Sequence, residues 1–227
     1  MSNFEKILTE EDIKKEIKLA IYENREINFT NKTLPEINLS NETINVNISF
    51  EGAKILGMAY FSETVIYGNL NLKKIIIGDV LYLGKAFIKG ELNCEEASIS
   101  GIVNLVGATI EKNINLKTTK IKGFLGLNKT NVKGNLDAKK ISIQNAEGIS
   151  EITGVIMGDA YFQEANINGY VDFEEALIQG SMDFRKTTIK GFLNLTNANI
   201  EEYLFLKNSD IIKGVQLEGL KYKEKIL

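Results

Sequence analysis

Val103-Asn104-Leu105-Val106-Gly107-Ala108-Thr109-Ile110-Glu111-Lys112-Asn113 is one copy of a unit that returns every 11 positions from residue 48 to residue 140 without a slip. Each copy reads apolar-x-large apolar-x-x, then small-x-Ile/Val/Leu-x-Gly, then one extra residue, as again in Met182–Phe192. The frame returns at residue 160 and runs to about residue 224. A short fixed period of this kind predicts a solenoid, in which each unit buries its apolar face only against its neighbours. Apolar and polar residues alternate with the strand period of two, but over short stretches, so the strands must be brief and the turns frequent. The inward set runs through Leu105, Ile110, Leu116, Ile121, Leu127 and Val132, and later through Phe162, Ile167, Phe173, Ile178, Phe184 and Ile189. Glycines at 57, 68, 90, 101, 123, 134, 169, 180 and 191 follow two residues after a large inward residue, a regularity that suggests turns needing φ > 0.

The extra residue sets the length of one coil. At 58, 80, 102 and 124 it is Met, Val, Ile and Phe; at 69, 91, 113 and 135 it is Asn, Glu, Asn and Asn. Positions 22 apart share a character and positions 11 apart do not, as expected of two opposite edges of a coil built from two units. Ahead of the repeat, Thr9-Glu10-Glu11-Asp12 has the form of a capping box, with Leu8 and Ile13 placed for a hydrophobic staple. Ile13, Ile17, Ala20 and Ile21 share one face. A helix over about 10–23, within an N-terminal segment 1–26, is therefore expected to cover the first coil.

Ala97-Ser98-Ile99-Ser100-Gly101, Thr130-Asn131-Val132-Lys133-Gly134 and Ala165-Asn166-Ile167-Asn168-Gly169 resemble the unit of the pentapeptide-repeat family, small-polar-Leu/Phe-polar-Gly. The resemblance implies an all-β solenoid, a right-handed quadrilateral parallel β-helix with four pentapeptides per coil. One added residue after every second pentapeptide lengthens the coil to two full units of the repeat, about 22 residues. The repeat domain is expected over 27–224, with residues 215–227 as the C-terminal end coil. The frame breaks once, after Ile143. Residues 146–149 are expected to form a surface bulge, with Ser150 to Asp159 supplying two irregular pentapeptides, so that Leu136 and Ala160 are 24 apart instead of 22.

The chain has no histidine, which removes Ser-His-Asp and Cys-His catalysis, histidine metal sites and the commonest general base. Cys94, the single cysteine, occupies a large inward position and is expected to be a buried hydrophobe. It permits no internal disulfide and suits a reducing compartment. Glu95-Glu96, Glu174-Glu175 and Glu201-Glu202 are candidate acid pairs or cation ligands. Yet, followed from coil to coil, the first of these columns reads Glu51-Gly52, Lys73-Lys74, Glu95-Glu96, Lys117-Thr118, Lys139-Lys140. Acid and base then alternate between coils about 4.8 Å apart, which describes a solvated charge ladder. No catalytic residue, metal site or cofactor is expected.

Net charge is −3, and the repeat body alone holds 23 acids against 22 bases. That balance offers no nucleic-acid-binding surface. Some pentapeptide-repeat proteins mimic DNA and bind type II topoisomerases, conferring quinolone resistance, so the resemblance implies a DNA-mimic regulator of gyrase as the alternative function; mimicry needs a continuous negative surface, and Lys73, Lys74, Lys139 and Lys140 interrupt it here. A carbohydrate-active β-helix enzyme is a weaker alternative, with only Arg25 and Arg185 as arginines. The reading is a non-enzymatic scaffold or protein-binding module, soluble and cytoplasmic, with no apolar leader and no membrane span. One feature is not required by the repeat: the edge Met58, Val80, Ile102, Phe124, continued across the break by Tyr170 and Phe192. It is the expected interaction edge, for a protein partner or a second copy.

Overall fold

A computed structural model describes residues 7–145 and 158–226. The chain winds into a parallel β-solenoid of about eight turns. Each coil carries four strands, nearly all of two residues. Face 1 begins at Ile27–Asn28, face 2 at Thr33–Leu34, face 3 at Ile37–Asn38 and face 4 at Thr43–Ile44. Each strand pairs in parallel with its counterpart on the next coil: Ile76 with Ser98, Leu81 with Val103, Phe87 with Thr109, Leu92 with Ile114. Asn199–Phe205 runs unbroken from face 2 to face 3, so four faces form three hydrogen-bonded sheets of 9, 16 and 8 strands. The quadrilateral coil, with ~22 residues per turn, is the expected one.

Two different positions make this winding possible, and the sequence pattern points to the wrong one for positive φ. Among the described residues, fifteen that are not glycine, including Glu63, Lys74, Glu96, Thr118 and Lys140, have φ between 52° and 63°. Asn24 ends the helix; the other fourteen lie in the turn after a strand, and their amides are commonly tied to the next coil, as in Lys74 N–H to Glu95 O at 2.8 Å. The recurrent glycines at 57, 68, 90, 101, 123, 134, 169, 180 and 191 are not in this conformation. They are small because coils touch there. A Cβ on Gly191 would lie 2.5 Å from Gly169 O and 2.7 Å from its carbonyl carbon.

The core is one continuous column of Ile, Leu, Val, Ala and Phe. Phe162 and Phe184 stack at 4.5 Å, and Phe173 meets both edge-on at 5.6 and 6.5 Å. Threonines at the small inward position bury a hydroxyl, and Thr64, Thr119 and Thr130 donate to the carbonyls of Leu39, Cys94 and Leu105 on the preceding coil. The helix spans Glu10–Tyr22 with the capping box formed on Thr9 and Asp12. Ile13 and Ala20 join the core, and Leu8, Ile17 and Ile21 pack against it. Arg25 holds the helix by two bonds to Glu16, at 2.7 and 3.1 Å, and this contact pulls the Glu16 carboxyl below its usual range.

Two departures from the regular frame matter. Ile27 pairs with Ile48 at a spacing of 21, because Leu34-Pro35-Glu36-Ile37 lacks the corner residue that later coils possess. Across the break, Leu125 pairs with Ala160 and Leu136 with Val171, a spacing of 35. The spacing therefore exceeds the coil repeat by 13, not by two, and most of the segment from Ser150 to Asp159 expected to supply two pentapeptides lies outside the described residues. Residues 146–149 themselves lie outside the described residues.

Candidate interaction face

The strand pairing locates each residue of the expected edge. Met58, Val80, Ile102 and Phe124 immediately precede the face 3 strands Ala59–Tyr60, Leu81–Tyr82, Val103–Asn104 and Leu125–Gly126, so they form one row on the corner between faces 2 and 3. Tyr170 and Phe192 do not continue it. They precede Val171–Asp172 and Leu193–Asn194 on face 1, which places them on the opposite corner above Asn47, Asn69, Glu91, Asn113 and Asn135. A slip of 13 instead of two shifts them by half a coil. The row above Phe124 is instead Asp159, Ser181 and Tyr203. Tyr170 and Phe192 stack on each other at 5.3 Å on their own corner.

The two corners solve the same backbone problem differently. On the Asn corner each side-chain Oδ1 accepts the amide of the residue one coil on: Asn69 N–H to Asn47, Glu91 N–H to Asn69, Tyr170 N–H to Asn135. Asp159 does the same for Ser181. Met58, Val80, Ile102 and Phe124 carry no such oxygen, so the corner geometry does not ask for them. All four are half-buried, beside fully buried Ala59, Leu81, Val103 and Leu125. The row is neither turned into the core nor fully exposed.

The apolar character extends onto face 3. Tyr60 and Tyr82 stand stacked at 5.4 Å, and the Tyr60 hydroxyl donates to Met58 Sδ at 2.6 Å. The Phe124 ring and Val106 bracket Gly126, whose Cβ, if present, would be 3.3 Å from that ring. Phe124 also meets Tyr161 edge-on at 5.8 Å. From Met58 to Asn128 the corner row itself and the outward positions of face 3 carry no charge: Met58, Tyr60, Ser62; Val80, Tyr82, Gly84; Ile102, Asn104, Val106; Phe124, Gly126, Asn128; Asp79, beside Val80, is the one charged residue on that corner. Around the corner on face 2, Leu56 and Ile76 are 44% and 48% exposed.

Face 1 is the contrast. Lys73 meets Glu95 at 2.9 Å, Lys74 meets Glu96 at 3.8 Å, Lys139 meets Glu174 at 2.8 Å and Lys140 meets Glu175 at 3.2 Å. These paired glutamates thus face lysines one coil away, as the column pattern predicts. The Lys73 contact draws the Glu95 carboxyl below its usual range. Among the described residues no group of three or more Asp, Glu or Cys is placed to hold a metal ion. Cys94 is buried, and burial pushes its thiol up to about 12, far from a nucleophilic thiolate at neutral pH.

Beyond Phe124 face 3 turns polar. Asp159 is buried, accepts from the Tyr161 hydroxyl and the Ser181 amide, and has its pKa raised by loss of solvation. Arg185 pairs with Asp183 and lies over Phe205. The uncharged span and its polar continuation are visible in the sequence at the second and fourth position of every other unit; the corner row draws attention away from them. No helix among the described residues is long and apolar enough to cross a membrane. No family model, curated protein or solved structure matches the chain.

Proposed function

We propose that this protein is a non-enzymatic pentapeptide-repeat scaffold that binds another protein through face 3 and its Met58–Phe124 corner, in the reducing interior of the cell. The observation that carries this reading is the uncharged, aromatic span of four coils on a solenoid whose opposite face is a ladder of ion pairs. A patch without charge, built where Asn would serve the backbone better, marks an interaction surface. The ladder also weighs against DNA mimicry, since its paired glutamates are neutralised by lysines one coil away. The test compares Ile102→Asn/Phe124→Asn with a face 1 control, Lys73→Asn/Glu95→Asn, in pull-down and self-association assays. Only the face 3 variant is expected to lose binding, with both circular dichroism spectra unchanged. Equal losses, or unfolding of the face 3 variant alone, would show that the row is core and not interface.

A further inference from the structure

We propose that the occupant of this face is a second copy of the chain, packed antiparallel about a two-fold axis that crosses face 3 between the Val80 and Ile102 coils. The inference rests on the binding-face reading above and adds the identity of the partner. An isologous contact requires a patch to complement itself. That axis sets each coil against the one equally far on the other side of the midpoint. Large residues then meet smaller ones: Tyr82 faces Asn104 of the other copy, and Tyr60 faces Gly126, beside which the Phe124 ring lies. Val106 faces Gly84, which has no side chain, and Met58 faces Phe124.

Charge agrees with size. At the far corner of face 3, Glu63 of one copy comes opposite Lys129 of the other, and Lys85 comes opposite Gly107. Glu63 and Lys129 have side chains 53% and 68% exposed, so each can reach across while keeping its contact in its own chain with Lys85 or Glu164. A two-fold axis along the solenoid would instead press Tyr60 on Tyr60 and Tyr82 on Tyr82. The antiparallel arrangement is the one the side chains fit. Aromatic stacking of a sugar fits poorly, because Tyr60 and Tyr82 cover each other's ring faces.

Four coils about 4.8 Å apart and five residues wide give roughly 300 Å² per copy. A stable dimer buries about 800 Å² per copy, so this one is weak and reversible. Sedimentation velocity up to about 1 mM should show the average mass rising from 25.3 kDa toward twice that value, a range chosen to suit a contact of this size. Ile102→Asn/Phe124→Asn should remain monomeric and folded. Lys129→Glu and Glu63→Lys should each weaken association by about five-fold, since the pair occurs twice, and the double exchange should restore it. A wild type that stays monomeric throughout, or a dimer indifferent to the charge exchange, overturns the proposal. If the monomer instead captures a different protein, and Ile102→Asn/Phe124→Asn abolishes that capture, the binding face stands and only the second copy falls. Loss of neither property on mutation removes both.

Discussion

Two kinds of residue hold each corner of the coil, and their side-chain requirements are opposite. The left-handed positions face outward and accept Glu, Lys, Asn or Thr. The close-contact glycines face the preceding coil's carbonyl, and a side chain fits that register only where the coils stand slightly apart, as at Glu202 and Lys213, which make the same backbone bond. Gly191→Ala should therefore destabilise by about 1–3 kcal/mol, as an inserted methyl against backbone cannot be relieved by a rotamer. Gly107 has φ 71° and only the flexible Lys85 side chain within reach, so Gly107→Asn should change stability by less than about 0.5 kcal/mol in urea melts. Similar losses would mean that the two positions had been confused. Asp159 presents a third requirement. Its oxygen serves the Ser181 amide as an asparagine does on the opposite corner, but burial raises its pKa, with Glu202 and Asp183 adding repulsion. A carboxyl raised on folding stays protonated longer in the native state, so stability falls as pH rises from the unfolded value through the folded one. Asp159→Asn removes that loss while keeping the acceptor. It should raise the melting midpoint at neutral pH, and the gain should shrink as pH falls into the ordinary carboxylate range. A gain independent of pH would contradict this account.

Elements this short draw their stability from packing between coils, not from their own hydrogen-bonded length. Phe173 lies edge-on to Phe162 and Phe184, and Phe173→Ala should cost about 3–5 kcal/mol in denaturant melts. Glu95 sits on the partly solvated ladder, and Glu95→Ala should cost under about 1 kcal/mol despite its 2.9 Å contact. Equal effects would reverse inside and outside. The helix was legible in detail because capping is local chemistry: Thr9, Asp12 and the stripe Ile13, Ile17, Ala20, Ile21 name its start and its buried face. Strand positions were legible from the period of two. The conformation of the glycines was not. A regular glycine satisfies equally a need for positive φ and a need for close approach, and only the distance to the neighbouring coil separates them.

At the scale of the molecule, a fixed period made the coil length readable, because positions 22 apart face the same environment. The same logic misplaced Tyr170 and Phe192, since one break moves every later residue, and composition cannot tell a slip of two from a slip of 13. By side-chain character Tyr170 matches Asn135 no better than it matches Phe124; only the pairing of Leu136 with Val171 places it above Asn135. Thirteen is also the number that restores the frame. Removing residues 145–157 would place Gly158 directly after Gln144, as Gly123 follows Lys122, with its amide still donating to Gly123 O. The coils on either side already pair directly through Leu125 and Ala160, the nearest-neighbour coupling on which a solenoid rests. Among the described residues the deletion loses the Asn145 amide bond to Gln179 and requires Gly158 to leave φ 83°. Against that, closing the longer connection costs about 1 kcal/mol more than closing one shortened to an ordinary corner. The shortened chain should fold, unfold in one transition, and melt at or slightly above the wild-type midpoint by circular dichroism. Separate transitions, or loss of the coils after Ala160, would show that the deleted segment contributes to the core.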